Sequence, residues 1–160
     1  MIVERLKSNK MDTFLAPIEK PKGFGLKLAY YFSRKHFGKV VTPLKVHSAR
    51  LPTAFGMFYG KVSQLDKKLA LSPEMVLLIR VQVARLNVCL FCMDAARYAS
   101  VHSSMNEAKF DALDRYETST LFTEGERAAL EYVTELTQHK AVRSEVFDRL
   151  QEYYSEREIC

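Results

Sequence analysis

Signals for the start of a helix recur along this chain and limit its fold more than any other feature. In "LSPEMVLLIRVQVARLN", Ser72 can cap a helix, Pro73 fits the first helical position, and Glu74 complements the positive end of the helix dipole. Thr123 and Glu126 stand at the spacing of a capping box in "TEGERAALEYVTEL". The sequence shows no alternating strand pattern with hairpin turns. It therefore predicts an all-α protein.

Further helices are predicted on both sides of these two. The stretch "LKLAYYFSRKHFG", residues 26–38, has apolar residues at helical spacing and ends at Gly38, a residue type that often stops a helix. Pro52 predicts a break between two helices. Ser104 and Glu107 form another capping-box pair in "SMNEAKFDALDRY".

A chain of 160 residues has the size of one domain. Prolines and glycines predict an irregular N-terminal arm over residues 1–25, followed by a single all-helical domain over residues 26–160. Ser155 and Glu158 have capping-box spacing, yet the chain stops two residues later at Cys160. We therefore expect that the natural protein continues into one more helix. The alternative is a frayed polar tail.

Two of the three cysteines, Cys89 and Cys92, stand at the spacing of a redox pair in "NVCLFCMD". If Asn87 caps the following helix, Cys89 lies in its first turn and Cys92 lies one turn later on the same face. The free N–H groups and the dipole at this helix end favour a thiolate. One sulfur can then attack and the other can close the disulfide. The pair predicts thiol–disulfide or peroxide chemistry that needs no bound cofactor.

Two other interpretations of the cysteine pair remain open at this point. Free cysteines often pack as small core residues on an apolar helix face. A zinc site would need two more ligands at suitable spacing, and the four histidines form no paired motif. They are His36, His47, His102 and His139. Redox chemistry is the favoured interpretation, and no metal is expected.

Cysteine usage and charge indicate a cytoplasmic protein. Two close cysteines and one at the end are not a disulfide framework, so a reducing compartment is favoured. Charged residues interrupt the first 25 positions, so neither a secretory signal nor a membrane span fits.

Residues 1–60 carry eleven Lys/Arg against three Asp/Glu. Because these basic residues are spread out, a solvated surface is favoured over nucleic-acid binding.

Three stretches carry a family resemblance: "LSPEMVLLIRVQVARLNVCLFCMDAARYAS", "YETSTLFTEGERAALEYVTEL" and "VFDRLQEYYSEREI". Together they resemble the carboxymuconolactone decarboxylase superfamily, on its alkylhydroperoxidase D-like side, over roughly residues 42–160. The resemblance implies an all-helical bundle that assembles into trimers or hexamers. It also implies a thiol-dependent peroxidase, or a disulfide reductase that supports a peroxiredoxin. The family's second cysteine, here Cys92, is taken as the one that meets peroxide.

The proton relay of that family is missing from this sequence. The family has a glutamate twelve residues before the first cysteine and a histidine four residues after the second. Here these positions are Leu77 and Ala96, which carry no proton. Glu74 lies one turn before Leu77 on the same helix face and is the candidate substitute. The alternative is that Glu74 faces solvent and only complements the start of its helix.

Arginines near the pair offer another way to activate a thiol. Arg80, Arg85 and the helix end can together supply a positive field that keeps one sulfur ionised without a dedicated base. This account favours Cys89, the sulfur nearest the helix start, whereas the family resemblance favours Cys92. The sequence leaves the order of attack open.

The leading hypothesis is therefore an enzyme of antioxidant defence that uses Cys89 and Cys92. Its substrate would be a peroxide or disulfide, and its partner a thiol reductant or a redox protein. A redox-sensing or structural helical oligomer and a lactone decarboxylase are the alternatives. Ten Phe and eight Tyr, many around "AYYF" and "FGMFY", also favour a homo-oligomer, because aromatics are enriched at subunit interfaces.

Overall fold

The computed structural model describes residues 15–101 and 107–160, and all regular structure within these ranges is helical. The chain forms two compact units, the first ending at Lys68 and the second beginning at Leu69. The first unit contains α1 (Phe24–Phe37), a π-helical turn (Leu44–Ser48) and α2 (Pro52–Asp66). The second contains α3 (Pro73–Leu86), α4 (Leu90–Val101), α5 (Glu107–Asp111), a 3₁₀ turn (Leu113–Arg115), α6 (Glu124–His139), α7 (Ser144–Gln151) and α8 (Glu156–Ile159). The all-α prediction is confirmed.

Helix α1 of the first unit ends where the sequence predicts. Gly38 follows its last residue with a φ of 68°, a left-handed conformation that glycine adopts without steric cost. The buried Ser33 then fixes the turn: its hydroxyl donates to the carbonyl of Lys39 and accepts from the backbone N–H of Val41. The helix begins two residues earlier than predicted, at Phe24.

An irregular segment precedes α1 and is held by hydrogen bonds to later residues of the same unit. The hydroxyl of the buried Tyr30 donates to the carbonyl of Ile18 at 2.6 Å. The backbone N–H of Ile18 donates to the carbonyl of Lys45 at 3.1 Å. Arg50 donates to the carbonyl of Ala16 at 2.7 Å. The division into an arm and one helical domain stays a prediction.

The second unit is organised around α3, which packs against both α4 and α6, while α7 packs against α6. Its core includes three leucines with no exposed surface: Leu78, Leu113 and Leu130. They come from α3, the 3₁₀ turn and α6, so burial of apolar surface holds these three elements together. This packing fixes the direction in which the C-terminal end of α3 leads into α4.

The predicted caps of this unit are largely observed. The hydroxyl of Ser72 accepts a hydrogen bond from the backbone N–H three residues later. Thr123 and Glu126 form a reciprocal capping box at the start of α6. Ser155 and Glu158 do the same at the start of α8. These local signals predict helix starts well because both partners lie within one turn.

The predicted capping box of Ser104 with Glu107 stays a prediction, because residues 102–106 lie outside the described residues; α5 begins at Glu107.

Several large apolar side chains of the first unit are exposed, among them Phe24, Tyr31 and Phe58. Within the described ranges, no helix is both long enough and apolar enough to cross a membrane.

Candidate functional site at the disulfide turn

The structure joins Cys89 and Cys92 in a disulfide, with an S–S distance of 2.04 Å and a Cα–Cα distance of 5.3 Å. Cys89 lies in the connection between α3 and α4, and Cys92 lies in the first turn of α4; we call residues 87–92 the disulfide turn. Cys92 is exposed and Cys89 is half-buried. Of the two residues, Cys92 is therefore the more open to an external molecule.

The prediction that Asn87 caps the second helix is wrong, because Asn87 follows the end of α3 instead. Its backbone N–H donates to the carbonyl of Val83 at 3.0 Å, and its side-chain amide donates to the same carbonyl at 2.9 Å. Asparagine is found at both ends of helices, since its short side chain reaches a free N–H at one end and a free carbonyl at the other. The new helix begins three residues later, at Leu90.

The end of α3 is a Schellman motif whose left-handed residue is Val88. The N–H of Val88 donates to the carbonyl of Arg85 at 3.0 Å, and the N–H of Cys89 donates to the carbonyl of Ala84 at 2.8 Å. Val88 has a φ of 54°, which glycine usually occupies in this motif. A β-branched residue there is strained, and such strain is often found at functional sites.

Cys89 is the residue that caps α4. Its carbonyl accepts the N–H of Met93 at 3.0 Å, the first intrahelical bond. Its sulfur accepts the N–H of Cys92 at 3.3 Å, the bond that a serine or aspartate oxygen makes at the same position. Cys89 thus stands just before the first turn, not within it. A thiolate on Cys89 would keep this bond and face the positive end of the helix dipole.

The two relay positions of the family lie in the apolar interior of the second unit. Ala96 is a buried member of the core cluster, and Leu77 packs against that cluster. Neither side chain can transfer a proton. The two positions that the sequence shows to depart from the family pattern therefore carry apolar side chains of the core region, one on α3 and one on α4.

Glu74, the candidate substitute, pairs with a lysine on α5. Lys109 contacts Glu74 at 2.9 Å and Glu126 at 2.6 Å. Burial disfavours the charged lysine, but hydrogen bonds to Glu126 and Glu74 outweigh it and raise the pKa of Lys109 above its usual value. Helix α3 rises about 18 Å between Glu74 and Leu86, so proton exchange with the disulfide would need intervening groups. The role of Glu74 stays a prediction.

The arginines proposed to supply a positive field occupy different environments. Arg80 is exposed, whereas Arg85 is half-buried and donates to the side-chain oxygen of Gln82 at 3.3 Å.

His47 lies in the π-helical turn of the first unit, and His102 lies outside the described residues. Among the described residues, no group of three or more His, Cys, Asp or Glu is placed to hold a metal ion.

Sequence reasoning did not identify the polar residues that α3 shares with α6. The side chain of Gln82 is almost fully buried and donates to the hydroxyl of Thr134 at 2.9 Å. Tyr116 is buried nearby, where desolvation raises the pKa of its phenol despite a hydrogen bond with Thr134. These groups line a cleft beside the disulfide turn. Gln82 carried a weak signal, because a polar residue interrupts the apolar run "VLLIRVQVA".

Comparison of sequences gives a limited likeness. No protein-family model matches the chain. The uncharacterised protein YnjA of Escherichia coli K12 is 29% identical over 103 residues, which make up 64% of this chain and 56% of that protein. The chain therefore spans little more than half the length of this curated relative.

Solved structures show a match in fold that covers more of the chain. A protein of unknown function from Agrobacterium tumefaciens, provisionally assigned to the antioxidant defence protein AhpD, matches with a TM-score of 0.65 and 25% identity. The match covers 71% of this chain and 80% of that one. This chain has the alkylhydroperoxidase D-like fold. The resemblance to that side of the carboxymuconolactone decarboxylase superfamily is thereby confirmed.

A second solved structure with this fold is the debrominase Bmp8. A variant of it in complex with 2,3,4-tribromopyrrole matches with a TM-score of 0.73 and 22% identity, over 93% of this chain and 80% of that one. The ligand-free form matches with a TM-score of 0.72. At this identity the likeness concerns the alkylhydroperoxidase D-like fold alone.

Proposed function

We propose that this alkylhydroperoxidase D-like protein is a thiol–disulfide oxidoreductase of antioxidant defence. It reduces disulfides or peroxides with the pair Cys89 and Cys92. The observation that supports this most is the bonded pair at the start of α4, with Cys92 exposed and the Cys89 sulfur held by a backbone N–H. In a sealed structural pair both cysteines would be buried.

The different exposures of Cys92 and Cys89 suggest different roles for the two residues. In the reductive half-reaction an external thiolate attacks the Cys92 sulfur, the S–S bond breaks, and Cys89 leaves as a thiolate that accepts the N–H bond at the cap. A second external thiolate then attacks the mixed disulfide and releases Cys92. In sum, two thiols become one disulfide and the protein becomes a dithiol. In the oxidative half-reaction the exposed Cys92 attacks the substrate and Cys89 then closes the disulfide, an order that agrees with the family resemblance.

The apolar relay positions favour disulfide reduction over peroxide reduction. When a thiolate cleaves a peroxide, the departing alkoxide or hydroxide needs a proton at once, and a general acid speeds this step. When a thiolate cleaves a disulfide, the departing thiolate is stable at neutral pH. Leu77 and Ala96 supply no acid, so the chemistry that needs none is favoured. Peroxide reduction would then depend on protons from solvent or on Glu74.

The test is turnover of cysteine variants, with both substrate classes. We expect Cys89→Ser and Cys92→Ser each to abolish reduction of a small disulfide and consumption of hydrogen peroxide. Cys160, a free and exposed cysteine, provides the matched control, and Cys160→Ser should keep full activity. Full activity in both Cys89→Ser and Cys92→Ser would end the proposal.

The same preparations separate the alternatives. A redox-sensing oligomer would form the disulfide once with peroxide and would show no repeated turnover with a supplied reductant. A lactone decarboxylase would release carbon dioxide from a carboxylactone, independently of either cysteine.

We further propose that the protein is a cytoplasmic homo-oligomer, a trimer or a hexamer. Light scattering of the purified chain gives the mass of the assembly directly.

A further inference from the structure

A cleft of about 540 Å³ opens beside the disulfide turn. Val88 and Met93 line it, and they are the chain neighbours of Cys89 and Cys92. The other lining residues come from the end of α3, from the 3₁₀ turn and the residues after it, and from α6. A volume of this size suits a small ligand. Such a ligand would lie beside the disulfide turn, next to Val88 and Met93, while Cys89 and Cys92 themselves are not lining residues.

Opposite charges line the cleft on different elements. Arg85 contributes a guanidinium from α3, while Asp114 and Glu117 contribute carboxyl groups from the 3₁₀ turn and the residues after it. Leu86 and Met93 add apolar surface. A ligand that fits this lining has one anionic group, one cationic group and a short apolar or sulfur-bearing body. A ligand with one charge alone would satisfy only part of it.

The guanidinium of Arg85 is positioned by a buried chain of hydrogen bonds. Gln82 is 4% exposed; its amide nitrogen donates to the hydroxyl of Thr134, which donates to the carbonyl of Leu130 at 2.6 Å. The amide oxygen of Gln82 accepts from Arg85. That bond uses one of the five guanidinium N–H donors, and a carboxylate can accept a parallel pair from the others. The arginine is thus prepared for a carboxylate.

We propose that this cleft binds low-molecular-weight thiols that carry both an ammonium and a carboxylate, and presents their sulfur to the disulfide. The carboxylate pairs with Arg85, and the ammonium pairs with Asp114 and Glu117. The inference rests on the proposed oxidoreductase function and names its reductant class. Two such thiolates reduce the protein: the first forms a mixed disulfide with Cys92 and frees Cys89, and the second releases the small disulfide and the Cys92 thiolate.

The kinetic test compares four small thiols with different charge patterns: cysteine, cysteamine, 3-mercaptopropionate and 2-mercaptoethanol. Rates of reduction of the oxidised protein are divided by the thiolate fraction of each reagent, because only the thiolate attacks. We expect cysteine to react about tenfold faster than cysteamine or 3-mercaptopropionate, as one extra charge-assisted hydrogen bond allows, and faster still than 2-mercaptoethanol, which lacks both charges. Equal corrected rates for all four thiols overturn the proposal.

Variants assign the preference to the two sides of the cleft. Arg85→Gln should slow cysteine and 3-mercaptopropionate and leave cysteamine unchanged, whereas Glu117→Gln should slow cysteine and cysteamine. Arg80→Gln, on the same helix but outside the lining, is the matched control and should keep the preference for cysteine. A preference that survives both Arg85→Gln and Glu117→Gln overturns the proposal.

A binding measurement separates the ligand class from the redox function. Calorimetry with S-methylcysteine, which cannot exchange disulfides, should show binding to the oxidised protein that Arg85→Gln weakens about tenfold. Absence of binding, with turnover intact, overturns the ligand class and leaves the function standing. Binding without reduction by any thiol supports the ligand class and ends the proposed function.

Discussion

The sulfur of Cys89 lies 3.3 Å from the backbone nitrogen of Cys92 and accepts its N–H, so one residue is both half of the disulfide and the cap of α4. Caps of this kind are normally oxygen atoms. The redox state of Cys89 and the start of α4 are therefore linked through a single atom. Reduction turns a neutral sulfur into one that can carry charge at the positive helix end.

Substitution of Cys89 should separate its capping role from its redox role. We expect Cys89→Ala to lower the free energy of unfolding by about 1 kcal/mol relative to Cys89→Ser, because serine restores a capping oxygen and alanine does not. Both variants should lose disulfide reduction. Urea denaturation under reducing conditions, where the wild type lacks its disulfide, gives the comparison. Equal stability of the two variants would show that the cap at this position contributes nothing.

Replacement of Val88 should remove backbone strain. We expect Val88→Gly to raise the free energy of unfolding by about 1 kcal/mol, because glycine adopts a φ of 54° without the clash that a β-branched side chain meets. The side chain is exposed, so little packing is lost. Val83→Gly, inside α3, is the control and should be destabilised by at least about 1 kcal/mol. If Val88→Gly proves less stable than the wild type, the residue is not strained.

Lys109 should stabilise the second unit through its two carboxylates. We expect Lys109→Met to lower the free energy of unfolding by about 2 kcal/mol, because Glu126 would keep a largely buried charge without its partner. Arg97→Gln is the comparison. Arg97 and Asp111 are both well exposed, so loss of this ion pair should lower the free energy of unfolding by less than about 1 kcal/mol. Chemical denaturation of both variants at neutral pH measures the difference.

The contribution of Lys109 should also depend on pH in one direction. Its folded-state pKa lies above the usual 10.5, so the lysine stabilises the fold fully below that pH and loses its effect as the pH rises through the folded value. The stability difference between the wild type and Lys109→Met should therefore be constant from pH 6 to 9 and shrink above about pH 10.5. A difference that grows in the alkaline range would contradict the ion pairs.

Glu74 can be tested as a proton carrier against its ion pair. If Glu74 carries protons to the reacting groups, Glu74→Gln should lower the rate of peroxide consumption at least about tenfold and change its pH profile. Lys109→Met breaks the same ion pair but keeps the carboxylate, so it shows what loss of the pair alone does. Equal peroxide rates in Glu74→Gln and the wild type would remove Glu74 from the mechanism.

The sequence predicts the parts of this fold whose causes are local. The caps at Ser72, Thr123 and Ser155 were predictable because the donor and acceptor lie within three residues of each other. Gly38 stops α1 for an equally local reason, its freedom to adopt positive φ. Such signals identify helices, and their order identified the superfamily fold.

The disulfide turn was harder to predict, because its decisive residue breaks a local rule. Valine disfavours positive φ, so nothing in the sequence marked Val88 as the end of a Schellman motif. Asn87 looked like the start of α4, and the helix start was therefore placed too early. The contacts of Lys109 and of Gln82 join elements far apart in sequence, which patterns within one helix do not reveal.

Leu77 and Ala96 are apolar, so neither can donate a proton to the departing group. When no general acid of the protein protonates the leaving group, the cleavage rate depends on the pKa of that group. Substrates with more acidic leaving groups then react faster. A series of organic hydroperoxides whose departing alkoxides are increasingly acidic should then react along a steep linear free-energy line.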